Sequence, residues 1–290
     1  MERILFGDNQ FFGINHMSEE KARQQMMQFQ DINSIADTLH AAYSAGVKGF
    51  ACTTHERMIE LVGLVKQQPE RWAGLKFYPG MPYAHKYANA VTEQGYFDAL
   101  KQFLPSSGLI DAMLRGGKAL VTRDVEGIIT LLVDAEMKAF AGVETPVVFL
   151  QNVVTDLVLG IGYFDAFRIF ADHVRSKYNA EPGFFSMNLP MILPALHSAG
   201  IENPIVCANV NKLAFRMSGG IEVYREATKR YPARVIAMSV LASGAIPPRE
   251  AIEWVIDEPY VTTILFGASS RRNIESTVQL IHEYDAKRGH

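Results

Sequence analysis

The stretch FACTTHERM at positions 50–58 places reactive and hydrogen-bonding side chains directly after a hydrophobic run. A histidine near neutral pH can exchange protons with a substrate when a carboxyl, amino or phenol group assists it. Residues suited to such general acid–base chemistry are concentrated in the first third of the chain. They are Asp8, His16, Cys52, His55, Glu56, Tyr83, His85 and Lys86.

Several of these residues also have a purely structural interpretation. Thr53 or Thr54 could cap the N-terminus of the helix that follows, with Glu56 in its first turn, where a carboxylate suits the helix dipole. Cys52, at a strand end, is more often a packing residue than a nucleophile. His55 has no comparable structural explanation, so the sequence favours a functional role for it.

A divalent metal is another interpretation of the same residues. His16, His55 and His85 follow three successive predicted strands, and Asp8 and Glu56 lie near them in the chain. Histidine with carboxylate ligands would suit zinc or a similar ion. No compact ligand motif such as HExxH is present, and Asp8 could simply shape a turn. Acid–base chemistry without a metal is therefore the less demanding hypothesis.

Eight short, continuously hydrophobic runs must position these side chains. Such runs are typical of parallel strands that are buried on both faces. They lie at 3–7, 47–52, 75–81, 146–151, 183–187, 204–209, 234–239 and 261–267. Stretches with helical spacing separate them. One of these begins at Asp31, a capping residue type, and ends at Gly46.

Eight strands alternating with helices predict an α/β fold, a (β/α)8 TIM barrel. We expect one domain over 1–290, with insertions at about 11–30 and 91–141, after the first and third strands. A doubly wound open sheet is the alternative, which the lack of a glycine-rich fingerprint after the first strand weakens. A TIM barrel places its chemistry at the C-terminal ends of its strands, so the candidate residues should meet there.

The composition limits the classes of partner. The chain of 290 residues has a net charge of −3, which gives no electrostatic case for nucleic acid or for a membrane. Two cysteines far apart in sequence predict no disulfide framework and favour a reducing compartment. No signal-like or membrane-spanning segment is evident. We therefore expect a cytoplasmic protein that acts on a small polar molecule; the sequence carries no signal for an oligomeric state.

Three segments in the second half of the chain resemble the aldo/keto reductase family. They are VIAMSVLASGAI at 235–246, GFFSMNLPMILPAL at 183–196 and the run from AIEWVID to VQLI at 251–281. The resemblance covers most of the chain for the fold and is most specific over 234–280. It implies that NADP binds at the polar ends of the fourth to eighth strands. The cofactor-binding candidates are Gln151, Asn152, Ser186, Asn188, Asn211, Ser239, Leu241, Ser243, Gly244, Gly267, Ser269, Ser270, Arg271 and Arg272.

The catalytic residues of that family do not carry over. The positions of its aspartate, tyrosine, lysine and histidine fall on Ala51 or Cys52, Glu56 or Arg57, Met81 or a neighbour, and Gln151 or Asn152. Hydride transfer to a carbonyl needs an acid that protonates the forming alkoxide. A reductase built on this chain must therefore use a different proton donor.

Three functions remain open from the sequence. The favoured one is an atypical NADP-dependent oxidoreductase for a small polar carbonyl or hydroxyl substrate, with Tyr83, His55 or Lys86 as acid. The second is a non-redox enzyme, an isomerase, lyase or hydrolase of a sugar-like or phosphorylated substrate, with or without a metal. The third is a non-catalytic binding protein, against which the concentration of titratable residues at the first three strands argues.

Overall fold

Eight parallel strands close into a barrel in chain order. The computed structural model describes residues 1–13, 19–83 and 118–288. The strands are β1 (Ile4–Phe6), β2 (Gly49–Thr53), β3 (Lys76–Met81), β4 (Val147–Leu150), β5 (Glu181–Phe185), β6 (Ile205–Asn209), β7 (Arg234–Met238) and β8 (Val261–Phe266). Because β1 pairs with both β2 and β8, the sheet has no open edge. The predicted (β/α)8 TIM barrel is confirmed and the open-sheet alternative was wrong.

Helices follow the strands on the outside of the barrel. They are α1 (Glu19–Gln28), α2 (Ile32–Ser44), α3 (Glu56–Gln67), α4 (Lys118–Met137), α5 (Asn152–Ile161), α6 (Asp165–Tyr178), α7 (Leu189–Ser198), α8 (Gly220–Arg230), α9 (Pro248–Ile256) and α10 (Arg271–Arg288). Helix α1 belongs to the first predicted insertion and α4 to the second, of which 91–117 lies outside the described residues. None of the described helices is long and apolar enough to cross a membrane.

Local signals set the ends of α2 as the sequence predicted. The Asp31 carboxylate accepts a hydrogen bond from the Asn33 N–H and caps the first turn. After the helix, Gly46 has a φ of +100°, a conformation that side chains with a Cβ rarely adopt. This turn leads the chain directly into β2.

The barrel divides the core into two layers because successive strand residues face opposite sides. Leu5, Ala51, Tyr78 and Phe149 pack in the barrel interior. A much larger layer lies between the strands and the helices. Two glycines make room for interior aromatic rings. A Cβ added at Gly183 would lie 2.4 Å from the Phe149 ring, and one at Gly80 would lie 3.1 Å from the Phe185 ring.

Polar contacts at the bottom of the barrel hold β1 in place. The Arg3 guanidinium donates two hydrogen bonds to the Asp285 carboxylate of α10, at 2.9 and 2.7 Å. The Thr263 hydroxyl donates to the Glu2 carbonyl oxygen at 2.9 Å. A bidentate contact such as that between Arg3 and Asp285 is the stronger class of ion pair. The Arg3–Asp285 pair joins the start of the chain to its last helix.

The close approach of Gly183 to Phe149 makes a testable prediction about stability. Gly183→Ala should lower the free energy of unfolding by about 1–3 kcal/mol, because the added methyl group overpacks the barrel interior. Gly160→Ala is the matched control. Its Cβ on α5 would meet nothing within 4 Å, so that variant should be more stable by up to about 1 kcal/mol. Denaturant unfolding of both variants measures the difference, and equal stabilities would contradict the packing argument.

Candidate active site

A buried carboxyl group joins the ends of β1 and β2. The Asp8 Oδ2 atom accepts hydrogen bonds from the Thr53 N–H at 2.7 Å and the Thr53 hydroxyl at 2.8 Å. Asp8 itself is only 6% exposed. Burial raises the pKa of the Asp8 carboxyl from its ordinary 3.8 to about 6, while the bonds from Thr53 limit the rise. This group can exchange a proton near neutral pH.

The charge of Asp8 affects the pKa values of both Tyr83 and Cys52. Burial raises the pKa of the half-buried Tyr83 phenol, and the negative charge of Asp8 raises it further. The same two causes raise the pKa of the Cys52 thiol well above its ordinary value. Cys52 packs in the layer between the strands and the helices. A buried thiol that holds its proton suits packing rather than nucleophilic catalysis.

A second buried carboxylate, Glu136, fixes the ends of β2 and β3. It lies in the last turn of α4 and is 3% exposed. Its Oε2 atom accepts hydrogen bonds from the Thr54 hydroxyl and, at 3.3 Å, from the Tyr83 N–H. Sequence reasoning missed Glu136, because nothing near it in the chain indicates that its partners are at the barrel mouth.

His55 caps helix α3, and the prediction that a threonine would do so was wrong. The His55 Nδ1 atom accepts a hydrogen bond from the Arg57 N–H at 3.1 Å. The Thr53 and Thr54 hydroxyls instead donate to the carboxylates of Asp8 and Glu136. His55 therefore has a structural role as helix cap, which the sequence did not indicate. Glu56 occupies the first turn of α3, as predicted.

The His55 ring also belongs to an aromatic wall, which we define as Phe12, His55 and Tyr83. The ring centroid of His55 lies 4.5 Å from that of Phe12 and 5.3 Å from that of Tyr83. All three rings are half-buried, and they follow β1, β2 and β3 respectively. The wall therefore lies at the C-terminal end of the barrel, beside Asp8.

The predicted metal ligands do not form a site among the described residues. In residues 1–13, 19–83 and 118–288, no group of three histidine, cysteine or acidic side chains could hold a metal ion. His16, His85 and Lys86 lie outside the described ranges. His55, the remaining candidate, uses Nδ1 to cap a helix. The metal hypothesis has no support in the described part of the chain.

Two of the predicted cofactor residues hold loops together. The buried Ser186 hydroxyl donates to Asp156 Oδ1 at 2.7 Å and accepts from the Asn188 N–H at 3.0 Å. The Asn211 side chain exchanges two hydrogen bonds with the backbone of Phe215, at 2.9 and 2.8 Å. Both side chains are fully buried. The half-buried Asn188 side chain, which makes no capping bond, is the better placed to meet a ligand.

Asp156, on α5, is a further residue that the sequence did not single out. Its carboxylate accepts from the Ser186 hydroxyl and, at 3.0 Å, from the Met187 N–H. Burial raises the pKa of this carboxyl, and the two hydrogen bonds oppose the rise. Gln151 and Asn152 lie in the same β4–α5 connection, Gln151 before the helix and Asn152 as its first residue.

The loop after β7 contains a cluster of unusual backbone conformations. Ser239, Ala242 and Ser243 have left-handed φ values of 55°, 45° and 57°, and Gly244 follows with 91°. Such conformations cost energy in residues other than glycine and tend to occur at functional sites. Leu241 lies within the same run. The predicted cofactor residues 239, 241, 243 and 244 thus share one strained loop.

The loop after β8 leads into α10. Gly267 packs against Gln10, since an added Cβ would lie 2.3 Å from the Gln10 amide oxygen. The Ser269 carbonyl oxygen accepts from the Gln28 side chain at 3.0 Å, and the Ser270 hydroxyl accepts from the Asn273 N–H at 3.3 Å. The two arginines that follow differ in their contacts.

Arg271 forms an ion pair with Glu275 at 3.4 Å. Arg272 is exposed and forms no ion pair with the described residues. An exposed guanidinium beside a helix N-terminus is suited to a phosphate group. The predicted cofactor residues after β8 are therefore not equivalent, and Arg272 is the one with a charge to offer.

The raised pKa of Asp8 predicts how stability depends on pH. The folded protein holds this proton more tightly than the unfolded chain, so the contribution to stability is full below pH 3.8 and is lost as the pH rises through about 6. Asp8→Asn removes the buried charge. The free energy of unfolding of Asp8→Asn, compared with that of wild type, should therefore increase by roughly 2–3 kcal/mol between low and neutral pH.

Urea unfolding of wild type and Asp8→Asn at several pH values tests this dependence. Asp37→Asn is the control, because the Asp37 side chain is 77% exposed and its loss should add no comparable gain. An Asp8→Asn variant that is less stable than wild type at neutral pH would contradict the buried-charge argument.

Comparisons with known proteins agree with the barrel. No protein-family profile matches the chain, and no curated protein matches it. Solved structures do match. A protein from Pseudomona aeruginosa, provisionally assigned as an aldo-keto reductase, aligns with a TM-score of 0.63 and 15% identity, over 98% of this chain and 91% of its own.

Two further structures extend the comparison. A Bombyx mori aldo-keto reductase in complex with NADP has a TM-score of 0.56 and 11% identity, over 99% of this chain and 88% of its own. An aldo-keto reductase from a Medee basin deep-sea metagenome has a TM-score of 0.55 and 12% identity, over 98% and 91%. At such low identities the likeness concerns the fold alone. The chain folds as a (β/α)8 barrel similar to that of the aldo-keto reductases.

Proposed function

We propose that the protein is an NADP-dependent oxidoreductase that acts on a small polar carbonyl or hydroxyl substrate, with Asp8 as proton donor and acceptor. The observation that carries the proposal is the buried Asp8 carboxyl at the barrel mouth, with its pKa raised to about 6. The Bombyx mori structure, which shares the fold, was solved in complex with NADP. The resemblance of the fold supports NADP as the cofactor. The raised pKa of Asp8 supports its role in proton transfer.

Asp8 is suited to proton transfer because an acid is most effective when its pKa lies near the working pH. Both hydrogen bonds from Thr53 go to Oδ2, so Oδ1 is the oxygen that these bonds leave for a proton. In the reduction of a carbonyl, a nicotinamide cofactor held at this end of the barrel would supply the hydride. Asp8 gives its proton to the carbonyl oxygen and takes another from solvent, and in the oxidation of a hydroxyl it accepts the proton instead.

Tyr83, one of the three acids that the sequence suggested, is less suited to the donor role. The raised pKa of its phenol makes Tyr83 a weaker acid than an ordinary tyrosine. Tyr83 belongs to the aromatic wall, and its N–H is bonded to Glu136. Its ring is therefore suited to pack against a substrate bound beside Asp8. A low-dielectric wall strengthens the interactions of the charges that develop during reaction.

Several described residues fit a nicotinamide cofactor. The strained loop of Ser239, Ala242 and Ser243 presents its backbone in a fixed arrangement after β7. Asn188 offers an amide beside the end of β5, and Arg272 offers an exposed charge at the start of α10. An anion is favoured near a helix N-terminus. These residues would hold the amide and phosphate groups of NADP.

A second candidate function is proton transfer without redox chemistry, as in an isomerase or lyase. The same Asp8 favours it, because a carboxyl group with a pKa of about 6 can also serve as a base near neutral pH. The two functions differ in their need for NADP. A third, non-catalytic function leaves the destabilising burial of Asp8 without a purpose.

The cofactor part of the proposal predicts an effect of Arg272. Arg272→Ala should weaken NADPH binding about tenfold, because a charge-assisted bond to the 2′-phosphate is lost, and should leave NADH binding unchanged. Arg271→Ala is the matched control, since Arg271 pairs with Glu275. Titrations that follow nicotinamide fluorescence measure both affinities. Failure of the wild type to bind either cofactor at millimolar concentration would exclude the oxidoreductase.

The catalytic part predicts the pH dependence of reduction. Because the acid form of Asp8 is the reactive one, kcat/KM should fall about tenfold for each pH unit above about 6. Asp8→Asn should lower the rate by about 10²–10⁴-fold and abolish this dependence while NADPH still binds. Steady-state reduction of a panel of small aldehydes measures both effects. A variant with wild-type rates would remove Asp8 from the mechanism.

A further inference from the structure

The loop between β6 and α8 holds an arginine in an unfavourable backbone conformation. Arg216 has a φ of +56°, and Ala214, two residues earlier, has a φ of +54°. Only glycine adopts such angles without strain, and other residues that are held in them are concentrated at functional sites. The Asn211 side chain fixes this turn, because it bonds both the N–H and the carbonyl oxygen of Phe215. The fold therefore accepts a loss of stability to keep Arg216 in its place.

A buried asparagine shows where Arg216 lies. In β6, Ile205 and Cys207 pack in the barrel interior, so Asn209, two residues further on, faces the same side. Asn209 is 1% exposed, and its Nδ2 atom donates to the Arg216 carbonyl oxygen at 3.1 Å. The backbone of Arg216 is thus bonded to a side chain that faces the barrel interior, at the C-terminal end of β6.

Arg216 and Asp8 lie across the barrel mouth from each other. Asp8 is bonded to Thr53 at the end of β2, and Thr53 faces the interior because Ala51 does. Arg216 is bonded to Asn209 at the end of β6. Strands β2 and β6 are four places apart in a closed ring of eight, which is the greatest separation that the ring allows. The proton-exchanging carboxyl group and the arginine therefore mark opposite sides of one opening.

The guanidinium of Arg216 is suited to bind an anion. Arg216 is exposed, and it has no ion-pair partner among residues 1–13, 19–83 and 118–288. Its Cζ atom lies 5.5 Å from the centre of the Phe215 ring. This cation–π contact uses the face of the guanidinium, whereas its N–H groups lie in the plane and form a fork that matches a carboxylate. A fixed backbone and an aromatic support prepare Arg216 for such a partner.

From this arrangement we infer that Arg216 binds the carboxylate of the substrate, and that the substrate is a small oxo acid. The inference rests on the proposed function and names its substrate class. The carbonyl group lies beside Asp8, and the carboxylate lies at Arg216 on the other side of the mouth. The product is a hydroxy acid, formed with one hydride from the reduced nicotinamide and the proton of Asp8. Because an anion beside Asp8 would hold that proton on its carboxyl group, the charge of the substrate has to bind away from Asp8.

Two probes that differ only in charge test the substrate class. Succinic semialdehyde carries an aldehyde and a carboxylate at opposite ends of a short chain. Its methyl ester has the same aldehyde without the charge. Wild type should reduce both with NADPH, with a KM for the acid about tenfold or more below that for the ester, because only the acid forms a charge-assisted pair with Arg216. Equal KM values would overturn the assignment of an oxo acid.

The variant Arg216→Gly removes the guanidinium without straining the fold, since glycine tolerates the φ of +56°. It should therefore melt near the wild-type temperature. We expect its KM for succinic semialdehyde to rise about 10–100-fold, because the bidentate pair with the carboxylate is lost. Its kcat, its KM for the ester and its affinity for NADPH should equal those of wild type. A merely structural role of Arg216 would not separate the acid from the ester.

Two further variants serve as controls. Arg230 is also exposed and stacks on a neighbouring ring, with its Cζ atom 5.4 Å from the centre of Tyr231. It ends α8, so it lies at the opposite end of the barrel. Arg230→Ala should therefore leave both KM values unchanged. Arg216→Lys keeps the charge but not the planar fork, and its KM for the acid should lie between those of wild type and Arg216→Gly.

Binding of succinate gives a measurement that does not depend on turnover, because succinate has no aldehyde to reduce. Titration calorimetry of the full chain, with and without NADPH, should show about tenfold weaker succinate binding to Arg216→Gly than to wild type. Arg230→Ala should bind succinate as wild type does. Equal succinate affinities of wild type and Arg216→Gly would overturn the inference.

The outcomes also distinguish this inference from the function on which it rests. A wild type that does not bind NADPH removes the oxidoreductase and with it the oxo acid as substrate, whatever the affinity for succinate. Weaker NADPH binding by Arg216→Gly would assign the guanidinium to the cofactor and overturn the inference, while the oxidoreductase would stand. An unchanged KM of Arg216→Gly for succinic semialdehyde would likewise remove Arg216 from substrate binding and leave the proposed reaction intact.

Discussion

The three residues of β1 must close the barrel, and the position of the candidate site depends on that closure. Leu5 and Phe6 pair with Gly49 and Phe50 on one side and with β8 on the other. The register of the β1–β2 pair brings Asp8 beside Thr53, where a carboxylate can reach both the N–H and the hydroxyl. Arg3 holds the other end of β1 through its paired bonds to Asp285. The acid at the mouth is thus placed by packing and pairing along the whole strand.

Above the barrel, polar side chains divide into those that hold loops and those that meet solvent. Ser186 and Asn211 are fully buried and spend their hydrogen bonds on neighbouring residues, as buried polar groups must. Asn188 and Arg272 are more accessible. Asp8 is buried and bonded to Thr53 like the first group, but burial raises its pKa to about 6, so that it can also exchange a proton. A functional group that lowers the stability of the fold is a common feature of binding and catalytic sites.

The sequence predicted the barrel because its strands are short hydrophobic runs, a signal carried within each strand itself. The site was less predictable, since its contacts join residues that are remote in the chain. Thr53 meets Asp8 across 45 residues and Thr54 meets Glu136 across 82. Local rules assign those threonines to the helix cap, and only the folded chain shows that their hydroxyls are already bound. The same long-range pairing explains why Glu136 and Asp156 gave no local signal, and why the cap passed to His55.

The bond between the Tyr83 N–H and Glu136 has a consequence for how the protein could be altered. Tyr83 follows β3, and Glu136 lies in the last turn of α4, where Val133 and Met137 are also buried. The ends of β2 and β3 are therefore fixed by the same helix turn that contributes to the core. A mutation that displaces this turn would disturb both strand ends at once.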